Sequence, residues 1–157
     1  MPEEPKFLVD FMLGRLAKWL RIMGCDSEYC RDTDRQKILC KSLQEKRVIL
    51  TRDHNLSKKR AWELHLIKSD FIEEQIRQVK SDFNISPDTG QILSRCTICN
   101  VPIMPIEKEK IKGRVPPFIY ETHNDFSCCP KCNRVYWPGT HLNHVVKTLK
   151  VKNRDVP

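Results

Sequence analysis

Residues 7–24 read FLVDFMLGRLAKWLRIMG, and two periodicities meet inside them. Phe7-Leu8-Val9 is a short, wholly apolar run closed by an acid, Asp10, and reads as a short buried strand. From about Met12 to Met23 the pattern changes to helical spacing. Leu13, Leu16, Ala17, Leu20 and Met23 form one apolar face, while Arg15, Lys18 and Arg21 occupy the others. Gly24 stands where a C-terminal cap belongs. Working outward, the segment Asp32 to Asp34 can cap a second helix with Ile38, Leu39 and Leu43 inward. Val48-Ile49-Leu50-Thr51 is a β-branched run suited to a second buried strand, closed by Arg52-Asp53. The pattern then predicts a polar helix from about Leu56 to Leu64, a short strand over 65–67, and a helix from about Phe71 to Phe83. Ile72, Ile76, Val79 and Phe83 share one face of that last helix. Strands that alternate with helices imply crossover units, so the expected class is α/β, a largely parallel sheet with helices on both faces.

The stretch from Asn84 to Ser94 contains Ser86-Pro87-Asp88-Thr89-Gly90, which is turn and linker chemistry. It divides an α/β domain over 1–90 from a second, smaller unit over 91–157. The second unit is marked by Pro102, Pro105, Pro116 and Pro117 among short apolar pieces. The whole chain has 157 residues, 39% apolar and 31% charged, a globular and not a disordered balance. No apolar run approaches the roughly 20 residues needed to cross a bilayer, so no membrane contact is expected. The opening MPEEPKFLVD is acidic and lacks the apolar core of a signal peptide, so the expected location is cytoplasmic or nuclear.

Eight cysteines would suit a secreted disulfide framework, but their placement argues against it. Four of them form two C-x-x-C pairs, Cys96-Cys99 and Cys129-Cys132, separated by 29 residues. Each pair makes a tight knuckle that brings two sulfurs to one ion, and two knuckles complete a tetrahedral shell for structural Zn²⁺. Backbone N–H groups in such turns stabilise the thiolates. Cys128 adjoins the second pair, but the spacing to Cys132 favours Cys129 as the ligand. A closed shell of four sulfurs has no open position, so this zinc is structural. It would hold together a unit with little core of its own.

The formal charge of +8 is uneven. Residues 1–94 carry 17 Lys/Arg against 15 Asp/Glu, and residues 95–157 carry 11 against 5, or +6. Four thiolates and one Zn²⁺ would reduce the latter to +4. A basic unit of this kind either meets phosphate or keeps itself soluble. Lys108, Lys110, Lys112 and Arg114, between the knuckles, make the same pair of readings: a nucleic acid contact or an exposed loop. Arg15, Lys18 and Arg21 on the first helix face phosphate or solvent.

Asp10 ends the first strand and Asp53 follows another, so a parallel sheet brings both to its carboxyl edge, where open α/β sheets bind ligands. Asp34, or Asp32, lies at a helix start within reach of that edge. Carboxylates gathered there suit Mg²⁺ or Mn²⁺, and such ions assist phosphodiester cleavage. The competing reading has each Asp capping a turn or helix. His54 beside Asp53 reads as a loop residue or a catalytic aid. His141 and His144 read as structural or surface residues, and Tyr136 and Trp137 as core of the second unit or as base-stacking platforms. Phe118, Ile119 and Phe126 form either that core or a docking patch.

These residues resemble the mut-seven C-terminal RNase domain, a PIN-like family with a zinc ribbon attached. The likeness is carried by Phe7-Leu8-Val9-Asp10; by Met12-Leu13-Gly14-Arg15-Leu16-Ala17-Lys18-Trp19-Leu20-Arg21 with Gly24 and Asp26; by Val48-Ile49-Leu50-Thr51-Arg52-Asp53; and by Cys129-Pro-Lys-Cys132 with Tyr136-Trp137-Pro138-Gly139-Thr140-His141. Together these span about residues 6–145. The resemblance implies a PIN-like domain whose edge acids bind Mg²⁺ or Mn²⁺ and hydrolyse RNA. Carried over by position, those acids are Asp10, Asp53 and Asp34, with Asp32 competing for the last role and Asp70 the candidate for a fourth. Cys25 stands where the family pattern expects an aromatic. The same resemblance allows a non-catalytic RNA-binding or partner-docking domain. In eukaryotes such a domain also ends a larger 3′–5′ exonuclease, so a covalently linked exonuclease, a protein partner and RNA are the expected associates, and the chain reads as either an excised domain or a whole small protein.

Overall fold

In the computed structural model, residues 3–86 and 91–139 are described, together with His144, Val145, Lys147 and Leu149. The linker residues Pro87 to Gly90, the Thr140-His141 end of the last motif and the basic tail from Lys150 lie outside the described residues.

The first unit is a four-stranded sheet made of β1 (Phe7–Val9), β2 (Ser27–Tyr29), β3 (Val48–Thr51) and β4 (Glu63–Leu66). The strand order is β2-β1-β3-β4 and every pairing is parallel. Helices α1 (Gly14–Ile22), α2 (Arg35–Glu45) and α3 (Ile72–Asp82) supply the crossovers. The two central strands are buried along their whole length, which requires apolar side chains on both faces. Phe7, Val9, Val48 and Leu50 point to one side and meet Leu16, Leu20, Ile76 and Val79 of α1 and α3. Leu8 and Ile49, one residue out of phase, point to the other and meet Ile38 and Leu39 of α2. The period-two alternation thus assigns α1 and α3 to one face and α2 to the opposite one.

Several elements differ from the pattern reading, each for a local reason. β2, Ser27-Glu28-Tyr29, is an edge strand of three residues with little apolar content and gives no sequence signal. The expected polar helix over 56–64 is only a 3-10 turn, Leu56–Lys58. Leu56 is buried there, but the following Ser57-Lys58-Lys59-Arg60 offers no apolar stripe to hold a helix against the sheet. β4 therefore begins at Glu63, and Ile67 is buried just beyond its end. In α2 the inward residues are Ile38, Leu39 and Ser42, and Leu43 is exposed. Ser42 earns its buried place by donating to the Arg47 carbonyl at 2.7 Å and accepting from the Trp62 amide at 3.1 Å.

The second unit is a three-stranded antiparallel sheet, β5 (Met104–Ile106), β6 (Phe126–Cys128) and β7 (Val135–Tyr136), in the order β5-β6-β7. A 3-10 turn, Lys108–Ile111, and a short helix, α4 (Pro117–Thr122), lie between β5 and β6. Ile111, Val115 and Phe126 form its small core, with Trp137 edge-on to Phe126 at 6.5 Å between ring centroids. This unit is packed on the first. Ile92, Val145 and Leu149 belong to the α1/α3 core, and the Leu93 amide donates to the Ile22 carbonyl at 2.8 Å. Gly24, at φ +90°, ends α1 where the chain from 91 to 95 crosses it, and a Cβ there would stand 2.5 Å from the Gln91 carbonyl oxygen. Only glycine meets both demands. Among the described residues no helix is long and apolar enough to cross a membrane.

Candidate active site and metal centre

Because β1 and β3 are adjacent and parallel, the residues that follow them emerge at the same edge of the sheet. Asp10 follows β1 and is fully buried. Thr51, also buried, ends β3 and donates its hydroxyl to Asp10 Oδ2 at 2.6 Å. The same hydroxyl oxygen accepts from the Asp53 amide at 3.0 Å, so Thr51 ties the two acid-bearing turns together. Asp53 Oδ1 is used by its own turn, accepting from the amides of Asn55 (2.9 Å) and Leu56 (3.3 Å). Oδ2 of Asp53 faces the Asp10 site.

Between the acids stands a residue that the sequence reading did not select. Arg35, the first residue of α2, forks onto Asp10 with Nη1 at 2.7 Å from Oδ2 and Nη2 at 2.9 Å from Oδ1. Its Nη1 is also 3.6 Å from Asp53 Oδ2. The guanidinium lies over the Phe11 ring at 5.1 Å from the centroid. With the Phe11 amide on Oδ1 at 2.8 Å, Asp10 accepts four donors. Burial by itself raises the Asp10 pKa, but the hydrogen bonds from Arg35, Thr51 and Phe11 and the Arg35 charge outweigh it and hold the carboxyl below its ordinary 3.8. A depressed carboxyl stabilises the fold fully above the unfolded value of about 3.9, and that contribution is lost as pH falls through the lower folded value. Urea denaturation at successive pH values should therefore show stability falling from about pH 4 downward. The Asp10→Asn protein should show a flatter slope over the same range.

The other acids are placed differently. Asp34 caps α2, its Oδ1 accepting from the Gln36 amide at 3.0 Å. Asp32 accepts from the Asp34 amide at 2.9 Å and pairs with Lys37 at 2.8 Å. Asp70 is exposed and pairs with Arg52. Among the described residues no three acids converge on one point. Asp10 and Asp53 nonetheless flank a single cationic nitrogen. Their hard oxygen donors suit Mg²⁺ or Mn²⁺, which are commonly held by one or two carboxylates with substrate phosphates completing the shell. His54 is exposed beside this edge.

The cysteine site is built by two matching turns. The four sulfurs of Cys96, Cys99, Cys129 and Cys132 lie within 4.8 Å of one another. A tetrahedral shell with metal–sulfur bonds of about 2.3 Å has sulfur–sulfur edges of about 3.8 Å, and the Cys96–Cys132 separation is 3.7 Å. The site fits a metal such as zinc. In the first knuckle the Cys99 amide points at Cys96 Sγ, and in the second the Lys131 and Cys132 amides point at Cys129 Sγ, each at 3.4 Å. Asn100 and Asn133 follow the knuckles at φ 63° and 62°, a left-handed turn that Asn tolerates. The signature legible in hindsight is C-x-x-C-N, present twice. Tyr136 donates its hydroxyl to Cys96 Sγ at 3.0 Å. Burial raises the Cys96 thiol, but this bond and the knuckle amides bring it down to about 6, whereas burial and the neighbouring sulfurs push Cys99 up to about 12. Like charges so close need a cation before all can ionise. Cys128 lies in β6 outside the group, its sulfur 3.9 Å from Arg114 Nη2.

The basic residues divide into engaged and free. Arg21, at the far end of α1, donates to the carbonyls of Ser27 (2.8 Å), Thr97 (3.0 Å) and Ile98 (3.0 Å). It bolts the first knuckle to the amino edge of the sheet. Asn100 reinforces the joint, accepting from the Ser27 amide at 2.9 Å and donating to Asp26 at 2.8 Å. Arg114 donates to the Asn133 carbonyl. Lys108 contacts Asn124 and lies over the Tyr120 ring, and Lys110 pairs with Glu107. Arg15, Lys18 and Lys112 are exposed and have no side-chain partner among the described residues. Phe126 is core, whereas Phe118 is 70% exposed. His144 is exposed, and His141 lies outside the described residues.

No curated protein and no solved structure matches the chain. The sheet-edge acids, the four-cysteine site and the joint between them lie within a single match to the model of the Mut7-C RNAse domain over residues 5–149, and the chain belongs to that family.

Proposed function

We propose that this nuclease-like domain hydrolyses RNA phosphodiesters with the help of a divalent cation, and that zinc in the cysteine site holds the ribbon in place. The observation that carries this reading is the pair Asp10 and Asp53, set by Thr51 on either side of one cation position at the carboxyl edge. A divalent ion held there would stabilise the charge of the reaction and supply activated water. Asp10 is the fixed donor, because burial and Thr51 leave it one orientation. Asp53, held by one oxygen, presents the other. Asp34, adjoining Arg35, is the third acid of the proposal. Incubating labelled single-stranded RNA with zinc-loaded protein and Mn²⁺ tests the reading: shortened RNA is expected, and none with EDTA. Intact RNA in both would refute it.

The RNA path of the proposal follows α1. This helix of nine residues, about 13 Å at 1.5 Å per residue, runs from the acid edge to the first knuckle with Arg15 and Lys18 free on its surface. Replacing both with Ala should weaken single-stranded RNA binding by about tenfold at low salt and flatten the dependence of log K on log salt by about 1.4, or 0.7 per lost phosphate contact. Arg21→Met should leave that slope unchanged and instead cost roughly 2–3 kcal/mol of stability, as it removes three bonds to carbonyls. Filter binding across a salt series and urea denaturation separate the two outcomes.

One observation favours a second reading, an RNA-binding domain without turnover. Arg35 already neutralises Asp10, and Asp34, Asp32 and Asp70 have other partners. In that case RNA binding would persist unchanged without any divalent ion.

A further inference from the structure

The position of Arg35 is unusual on three counts. It is a cation in the first turn of a helix, the end at which the peptide dipoles disfavour positive charge. It forks onto a carboxylate that is fully buried, and its side chain is itself 28% exposed, so one end of the pair opens to solvent. Its Nη1 lies between Asp10 and Asp53, at 2.7 and 3.6 Å from their Oδ2 atoms. With Phe11, Thr51 and both Arg35 nitrogens bound, Asp10 has used the roughly four acceptor sites of a carboxylate. A buried carboxylate is strongly disfavoured when unpaired, so this protein without a divalent ion needs a cation at that point. The neighbouring contacts are suited to exchange. The guanidinium lies against the Phe11 ring and its Nε reaches the Thr33 carbonyl at 3.2 Å. These two contacts hold the side chain near the edge whether or not it is on Asp10.

We propose that Arg35 is the resting counter-ion of the acid pair, competing with a divalent cation for the space between Asp10 and Asp53 and moving off Asp10 when that cation is supplied. This inference rests on the reading of the pair as a divalent-cation site. It assigns Arg35 a positioning role: the side chain sets how readily the site loads, and keeps the buried carboxylate paired while it is not loaded.

The test is Mn²⁺ affinity, read from the loss of the free-ion paramagnetic resonance signal on titrating zinc-loaded protein. Arg35→Gln should bind Mn²⁺ at least tenfold more tightly than the parent, and adding Asp53→Asn should abolish the gain. Arg35→Lys keeps the charge but loses the fork, and should bind a few-fold more tightly than the parent. It also serves where Arg35→Gln does not fold without metal. Equal Mn²⁺ affinity in the parent and Arg35→Gln (or in the parent and Arg35→Lys, where Arg35→Gln does not fold without metal), or a gain in Arg35→Gln that survives Asp53→Asn, would overturn the proposal. Tighter Mn²⁺ binding without RNA cleavage by any of these proteins would leave the exchange standing and remove the nuclease reading. Cleavage that requires Asp53, with Mn²⁺ affinity indifferent to Arg35, would do the reverse.

Discussion

Replacing Cys129 by Ser should reduce bound zinc from one equivalent to less than a tenth and unfold the ribbon. Structural zinc sites contribute about 10–16 kcal/mol of apparent binding energy near neutral pH, far more than a core of Ile111, Val115 and Phe126 can replace. Cys129 is buried, and its sulfur accepts from the amides of Lys131 and Cys132, so the second knuckle loses its centre. The damage should extend beyond the ribbon. Arg21 holds the carbonyls of Thr97 and Ile98 while its Nε holds Ser27 at the edge of the α/β sheet. When the first knuckle loosens, those bonds are lost from the α/β unit as well. Metal content and a thermal melt check the prediction, with a clear fall in the melting temperature of the whole protein expected. Cys128→Ser is the matching control. Its sulfur lies outside the ligand group, and it should retain the metal and the parent's melting temperature. Loss of zinc in Cys128→Ser, with retention in Cys129→Ser, would show that the ligand had been assigned to the wrong neighbour.

Asp10→Ala should cost about 3–5 kcal/mol, combining roughly 1–3 kcal/mol for a buried hydroxyl left without its acceptor with roughly 1.5–3 kcal/mol for lost hydrogen bonds to a charged group. That is a large share of the 5–15 kcal/mol by which a domain of ordinary size is stable. The substitution takes the forked partner from the Arg35 guanidinium, which keeps the Thr33 carbonyl and Asp53 nearby, and leaves the buried Thr51 hydroxyl without its acceptor. It also removes the acceptor of the Phe11 amide at the start of the 3-10 turn that leads into α1. Adding Arg35→Met should recover part of the loss, because the second change removes from the first turn of α2 a cation that has lost its main carboxylate partner. Urea denaturation of the two variants checks this. Equal stability of Asp10→Ala and the parent would mean that the carboxylate is not the centre of the edge.

The parts of this molecule legible in sequence are those whose residue types are demanded from two directions. Phe7-Leu8-Val9 and Val48-Ile49-Leu50 are apolar on both faces because the central strands of a parallel sheet are covered on both. The helical period of α1 and α3 and the spacing of the cysteine pairs are similarly constrained. β2 was not legible, since an edge strand of Ser27, Glu28 and Tyr29 is chosen by its neighbours more than by its own pattern. The turn at Leu56–Lys58 reads as a helix for the opposite reason, because four polar residues after one buried leucine are compatible with a helix only where packing supports it.

At the edge, the arrival of Asp10 and Asp53 at one end of adjacent strands followed from the topology. The role of Arg35 did not, because nothing about an arginine after a helix cap says which carboxylate it will meet 25 positions away in sequence. Arg21 shows the converse. It stands in the same helix as Arg15 and Lys18 and shares their basic character, yet only the packed knuckle reveals that its hydrogen-bonding capacity is used by carbonyls. The pairing of acid and cation, and of cation and carbonyl, is set by tertiary contacts between segments far apart in sequence.

Asp53→Asn offers the most direct test of the nuclease reading. Its Oδ1 can still accept from the amides of Asn55 and Leu56, so the turn survives, while the anionic oxygen facing the cation position is lost. Cleavage of labelled single-stranded RNA with Mn²⁺ should fall by at least a hundredfold relative to the parent, at matched zinc content and with RNA binding within a few-fold. Cleavage at the parent's rate would contradict an active site built on Asp10 and Asp53.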